Sequence, residues 1–175
     1  MSDTTVAVAT AGIVRDPLRP PRNLVSRRAI AYWAVRATLG WLIVAAVQVV
    51  WLIGDGGARD THVSVLVVTA VVAAAHIGVM PVWRYRVHRW EATDLAVYLQ
   101  SGWFNQDRRI APLARIQTVD SHRGPFEQLF GLAKVTVTTA SAAGPLTIGG
   151  LDRATAERLV DSLTATTQAT TGDAT

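Results

Sequence analysis

Two long apolar runs dominate the chain between Ile30 and Trp83, joined by the short polar link Gly54-Asp55-Gly56-Gly57-Ala58-Arg59-Asp60-Thr61-His62. A hydrocarbon core about 30 Å thick takes roughly 20 apolar residues of helix to cross, and each run is near that length. The pattern predicts a membrane α-helical hairpin of two transmembrane helices over residues 30–83, with spans at about 37–53 and 63–82. Residues 1–29 show neither a helical nor a strand period and pass through Asp16-Pro17-Leu18-Arg19-Pro20-Pro21, so they read as a disordered basic tail. A signal peptide fits less well: the first run is too long for one, ends in no small-residue cleavage site, and is followed by a second run.

After Trp83 the pattern changes to near-alternation. Short stretches rich in Val, Thr, Tyr and Trp, separated by Gly, Pro or Asp, predict antiparallel strands near 84–91, 95–101, 104–110, 114–120, 133–140 and 145–149. Turns fit at Thr93-Asp94, Ser101-Gly102 and Ala143-Gly144-Pro145. Pro125 in a first turn and Gly131 at the far end bracket a short helix whose Phe126, Leu129 and Phe130 are expected to pack. Asp152 is placed to cap a second helix to about Ala165, with Ala156, Leu159, Val160 and Leu163 on one face. Residues 84–165 thus form one small domain, and the polar residues 166–175 read as a disordered tail.

Charge adds an orientation. Arg15, Arg19, Arg22, Arg27, Arg28 and Arg36 crowd the segment before or at the first span, and Arg84, Arg86 and Arg89 follow the second, while the link holds only Arg59 against Asp55 and Asp60. Basic residues concentrate on the cytoplasmic side of spans, so both termini are expected in the cytoplasm of a multi-pass cell-membrane protein. Tyr32, Trp33 and Trp51 are placed as interfacial anchors. From Arg84 onward ten basic and nine acidic residues nearly cancel, which argues against a nucleic-acid surface.

Three polar residues fall inside the spans. Gln48 lies roughly 8 Å and Thr69 roughly 9 Å from the outer ends of their helices, a match in depth that allows a hydrogen bond across the hairpin. His76 lies deeper, and its plain reading is a neutral imidazole bonded to a carbonyl or a neighbouring helix rather than part of a proton path.

Catalytic signatures are missing from the sequence. Without cysteine there is no thiol nucleophile or thiolate metal site, and neither Gly-x-Ser-x-Gly, His-Glu-x-x-His nor a Gly-rich phosphate loop occurs. Asp120 and His122, two apart, are too few ligands for a metal unless His88 joins them across the sheet. No enzyme activity, metal or cofactor is expected. Arg84, Arg86 and His88 alternate beside the membrane, on what reads as the first strand, and are candidate contacts for anionic lipid headgroups.

The run Arg108-Arg109-Ile110-Ala111-Pro112-Leu113-Ala114-Arg115-Ile116-Gln117-Thr118-Val119, followed by Gly124-Pro125-Phe126-Glu127-Gln128-Leu129-Phe130-Gly131-Leu132 and Val135-Thr136-Val137-Thr138-Thr139-Ala140, resembles the YdbS-like membrane proteins with a bacterial pleckstrin-homology (PH) domain. The likeness covers about residues 30–163. It implies a mainly-β PH-like domain of two antiparallel sheets in a partly open barrel, capped by a C-terminal helix, with seven strands where the pattern above supplies six. It supplies no biochemical activity, though it points to work near the envelope, in tolerance of membrane-directed stress. Arg109, Arg115 and Gln117 belong to the resembling motif, and with Arg115 and Gln117 two apart on a strand they form a candidate interaction edge. The expected role is a membrane-anchored module binding a protein partner or itself, with a peripheral anionic-lipid sensor as the alternative.

Overall fold

The computed structural model describes residues 19–102, 105–141 and 144–172. Most of the expected N-terminal tail (1–18), residues 103–104, Ala142, the Ala143 that opens the expected turn, and the last three residues lie outside them. Two helices, α1 (Arg28–Gly54) and α2 (Arg59–Val87), form the hairpin. At 1.5 Å per residue they measure about 40 and 43 Å, longer than the hydrocarbon they cross. Leu42, Ile43, Val47, Val50 and Ile53 of α1 and Val67, Val68 and Val71 of α2 face outward, as side chains solvated by lipid do. In the link, Asp55 accepts from the Gly57 amide at 3.2 Å and lies 3.3 Å from His62 Nε2, which fastens the turn.

Among the described residues, seven strands follow an unexpected order. A four-stranded antiparallel sheet runs β1 (Asn23–Leu24), β2 (Arg89–Ala92), β3 (Ala96–Gly102), β4 (Gln106–Pro112). A three-stranded sheet runs β5 (Ile116–His122), β6 (Leu132–Thr139), β7 (Leu146–Asp152). Between them sit a 3₁₀ turn at Leu113–Arg115 and, after β5, the short helix α3 (Pro125–Leu129); α4 (Arg153–Gly172) closes the fold. The barrel is open, as two separate sheets with a helix across them require. The seventh strand is β1, which precedes the hairpin and pairs Asn23 with Trp90 and Leu24 with Arg89. The hairpin is therefore inserted between the first two strands of a sheet rather than attached ahead of a domain that starts at residue 84.

The core confirms the insertion. Val25, Ala29, Tyr32 and Trp33 are buried together with Val97, Leu99, Val135, Val137, Ile148 and Leu151 and with Ala156, Leu159 and Leu163 of α4. Gly150 of β7, at φ +78°, lets α1 approach: a Cβ there would stand 3.1 Å from the Ala29 Cβ and 3.5 Å from Trp33. Tyr32 and Trp33, expected as interfacial anchors, are core residues of the domain, because the first turns of α1 pack on the sheet.

Four further expectations are corrected. Residues 19–29 are not a disordered tail: Arg19 and Arg22 grip Glu91, and Pro21 is buried. Arg84 and Arg86 lie in the last turn of α2 and His88 at its cap, not on a strand, because Pro81 removes only one rung of the helical ladder and the helix runs on until the His88 amide bonds Arg84 O at 2.8 Å. The C-terminal helix continues past Ala165 to Gly172, its Thr166 and Thr167 hydroxyls bonding back to the carbonyls of Ser162 and Leu163 at 2.9 and 2.7 Å. In α3, Phe126 and Leu129 are exposed, and only Phe130 packs, edge-on to Tyr32 at 6.0 Å.

Candidate functional site

α1 and α2 are longer than a membrane span requires, and their ends meet the sheet in a polar junction. Arg36 Nη1 donates to the Tyr32 hydroxyl at 2.9 Å, and that hydroxyl donates to Glu127 Oε1 of α3 at 3.3 Å. The other Glu127 oxygen accepts the amide of Gly124, which fixes the start of α3. From the facing helix, the Arg84 guanidinium stacks on the Trp33 ring, 4.6 Å from its centre, and His88 meets the same ring edge-on at 5.8 Å. These groups border a cavity of about 530 Å³, whose lining also includes Lys134 of β6, Gly149 and Gly150 of β7, and Ala37, His76 and Met80 of the hairpin. Burial, and next the Arg84 charge, push the His88 imidazole down to about 4, so the ring is neutral at neutral pH. Arg86 is exposed and does not line this cavity.

A second, smaller groove of about 360 Å³ runs beside β4, lined by Arg108, Arg109, Ile110, Ala111, Pro112, Arg115, Thr139, Ser141, Gly144 and Leu146. Arg109 donates to the carbonyls of Pro145 and Gly144 at 2.8 and 2.9 Å and so holds the loop before β7 against β4. Arg115 ends the 3₁₀ turn instead of sitting on a strand; its carbonyl accepts the Ala140 amide, while its exposed side chain has no hydrogen bond or ion pair among the described residues. Gln117 sits in β5 where the register with β6 shifts between Ile116 and Thr118, and it does not line the groove. The structure thus brings Arg109 and Arg115 together and leaves Gln117 aside.

Inside the spans, Gln48 Nε2 donates to Thr69 Oγ1 at 2.8 Å, the bond that their matched depths predict. His76 Nδ1 accepts from the Trp41 indole at 3.0 Å. An indole nitrogen only donates, so that imidazole nitrogen carries no proton. Asp120 and His122 are exposed on β5, and among the described residues no three His, Cys, Asp or Glu side chains gather where a metal ion could be held.

Lys134 and Glu127 had no role in the sequence pattern, and Tyr32 and Arg36 served there only as membrane markers. Lys134 carried a signal: it is the only lysine in the chain and interrupts a run of Val, Thr and Ala.

An inserted membrane hairpin and a two-sheet, helix-capped domain together define a membrane-anchored PH-like module. The family described as "Bacterial PH domain" matches residues 31–167, and the chain belongs to it. It is 31% identical over 165 residues, covering 87% of this chain and 97% of the relative, to "UPF0699 transmembrane protein YdbS" of Bacillus subtilis (strain 168). No solved structure matches the chain.

Proposed function

We propose that this membrane-anchored module is non-enzymatic, faces the cytoplasm with both termini, and binds a protein partner or a second copy of itself along the outer side of β4. The observation that carries the reading is the β4 groove. Among the described residues β4 pairs only with β3, so its other side offers backbone groups for strand addition. Ile110, 51% exposed, supplies an apolar contact there, and the Arg115 guanidinium at the groove's end, without an ion pair among the described residues, favours an acidic segment in the occupant. Arg109 serves the site indirectly, by fixing the loop that forms its far wall.

The experiment is gentle crosslinking in the native membrane, purification of the full chain in mild detergent, and measurement of the mass and contents of the complex. Arg115→Glu is expected to lose the partner while membrane insertion and yield stay unchanged. A complex that persists in Arg115→Glu at wild-type stoichiometry overturns the β4 assignment. Orientation is tested separately: a reporter fused after Thr175 is expected inside the cell and one in the link outside, and the reverse result removes the cytoplasmic placement.

A further inference from the structure

The junction cavity at the base of the hairpin carries chemistry that the β4 groove leaves unused. Arg36 comes from α1, Arg84 from α2 and Lys134 from β6, and all three border the same space. None of the three has an acidic partner among the described residues: Arg36 bonds the Tyr32 hydroxyl, Arg84 stacks on Trp33, and the one carboxylate in the lining, Glu127, already accepts from Tyr32 and the Gly124 amide. Three cations against one carboxylate leave the lining with an excess of positive charge, and an anion between them relieves their repulsion.

His88 is the second and independent observation. It lines the cavity, is 5% exposed, and neither ring nitrogen has a hydrogen-bond partner among the described residues. A buried polar atom left unpaired is destabilising, and an anion in the cavity that His88 lines offers it an acceptor once the ring turns toward that space. Depth supplies the third. Arg36 and Arg84 flank the spans expected at 37–53 and 63–82, at the level of lipid phosphates, while Ala37 and Met80 continue the lining toward the apolar zone.

We propose that the junction cavity binds the phosphate group of a membrane phospholipid, with Arg36, Arg84 and Lys134 around the phosphate oxygens, His88 donating to one of them, and the apolar part of the lipid leaving past Ala37 and Met80. The guanidiniums and the ammonium supply charge, and the neutral imidazole supplies direction. The site differs from simple attraction of exposed arginines to a charged surface, because it is a cavity closed on one side by β7 and reachable from the bilayer.

Gly149 of β7 permits a test that removes no charge. A Cβ at this position would meet nothing within 4 Å and its φ is not in the left-handed region, so Gly149→Leu fills the cavity without straining the strand. The full chain in nonionic detergent would be titrated with dioleoyl phosphatidylglycerol, with dioleoylglycerol, and with inorganic phosphate, and bound species counted by native mass spectrometry. The proposal expects phosphatidylglycerol to bind at least tenfold more tightly than either control, and Gly149→Leu and the double variant Arg84→Gln/Lys134→Gln each to lose tenfold or more at an unchanged unfolding temperature. A double variant that fails to fold leaves Gly149→Leu to decide. Equal binding of dioleoylglycerol overturns phosphate recognition, equal binding of inorganic phosphate overturns the lipid as its source, and phosphatidylglycerol binding untouched by Gly149→Leu overturns the cavity as the site.

Discussion

Arg19 holds Glu91 from the other side of the hairpin in sequence: its Nη2 stands 3.0 Å from one carboxylate oxygen and 2.9 Å from the other. The Glu91 side chain is only 11% exposed, and it also accepts the Arg22 amide at 3.2 Å. One carboxylate on β2 therefore secures the segment that leads into β1. Removing it leaves the Arg22 amide and two guanidiniums short of their acceptor, so Glu91→Ala is expected to cost about 1–3 kcal/mol and to speed amide exchange at Leu24 and Val25. Arg19→Ala, which removes a 39% exposed partner while Arg22 remains, is expected to cost less, about 1 kcal/mol or below. Thermal unfolding in detergent with hydrogen exchange checks both. A Glu91→Ala protein with wild-type unfolding and exchange would show that the carboxylate does not hold β1.

His88 makes stability depend on pH in a definite direction. Burial, then the Arg84 charge, depress the imidazole to about 4 in the folded chain, against about 6.5 when unfolded. Between those values the unfolded chain binds a proton that the folded chain refuses, so stability is fully present above pH 6.5 and is lost as pH falls toward 4. From pH 7 to pH 5 this residue alone is expected to remove about 2 kcal/mol. His88→Leu abolishes that contribution, so the gap in unfolding free energy between wild type and variant should change by about that amount between the two pH values. A gap that stays constant would mean the folded imidazole titrates as it does in the unfolded chain.

What was legible in the sequence follows from how local each signal is. The depth of Gln48 and Thr69 came from counting residues along regular helices, and the two side chains do meet. Gly131 ends the α3 turn at φ +65°, as a glycine after a short capped helix should. His76 is bonded to the neighbouring helix, through the indole of Trp41, a partner that apolar periodicity alone does not single out. The segment Trp83 to His88 alternates over too few residues to separate a strand from a helix end, and the helix continues to the His88 amide. Least legible was β1, because two residues carry no period and their partners lie beyond the whole hairpin. The same distance concealed the junction cavity, whose cations come from α1, α2 and β6.

The inserted hairpin also dictates which piece of the chain folds alone. Residues 84–165 lack β1 and lack Val25, Ala29, Tyr32 and Trp33, which are part of the core. An aromatic side chain such as Tyr32 or Trp33 buries 150–250 Å², roughly, and at about 25 cal/mol per Å² the missing pair alone is worth several kcal/mol. A small domain is stable by only about 5–15 kcal/mol in total, so residues 84–165 by themselves are expected to show no cooperative unfolding transition. Joining residues 19–36 to residues 83–172 through roughly six Gly and Ser residues restores every one of these contacts, since packed helices lie about 8–10 Å apart and such a linker spans that gap. The joined chain is expected to be soluble and to unfold cooperatively, read by tryptophan fluorescence during heating. A sharp transition in residues 84–165 alone would sink the insertion reading, because it would show that the helix ends decorate a domain complete without them.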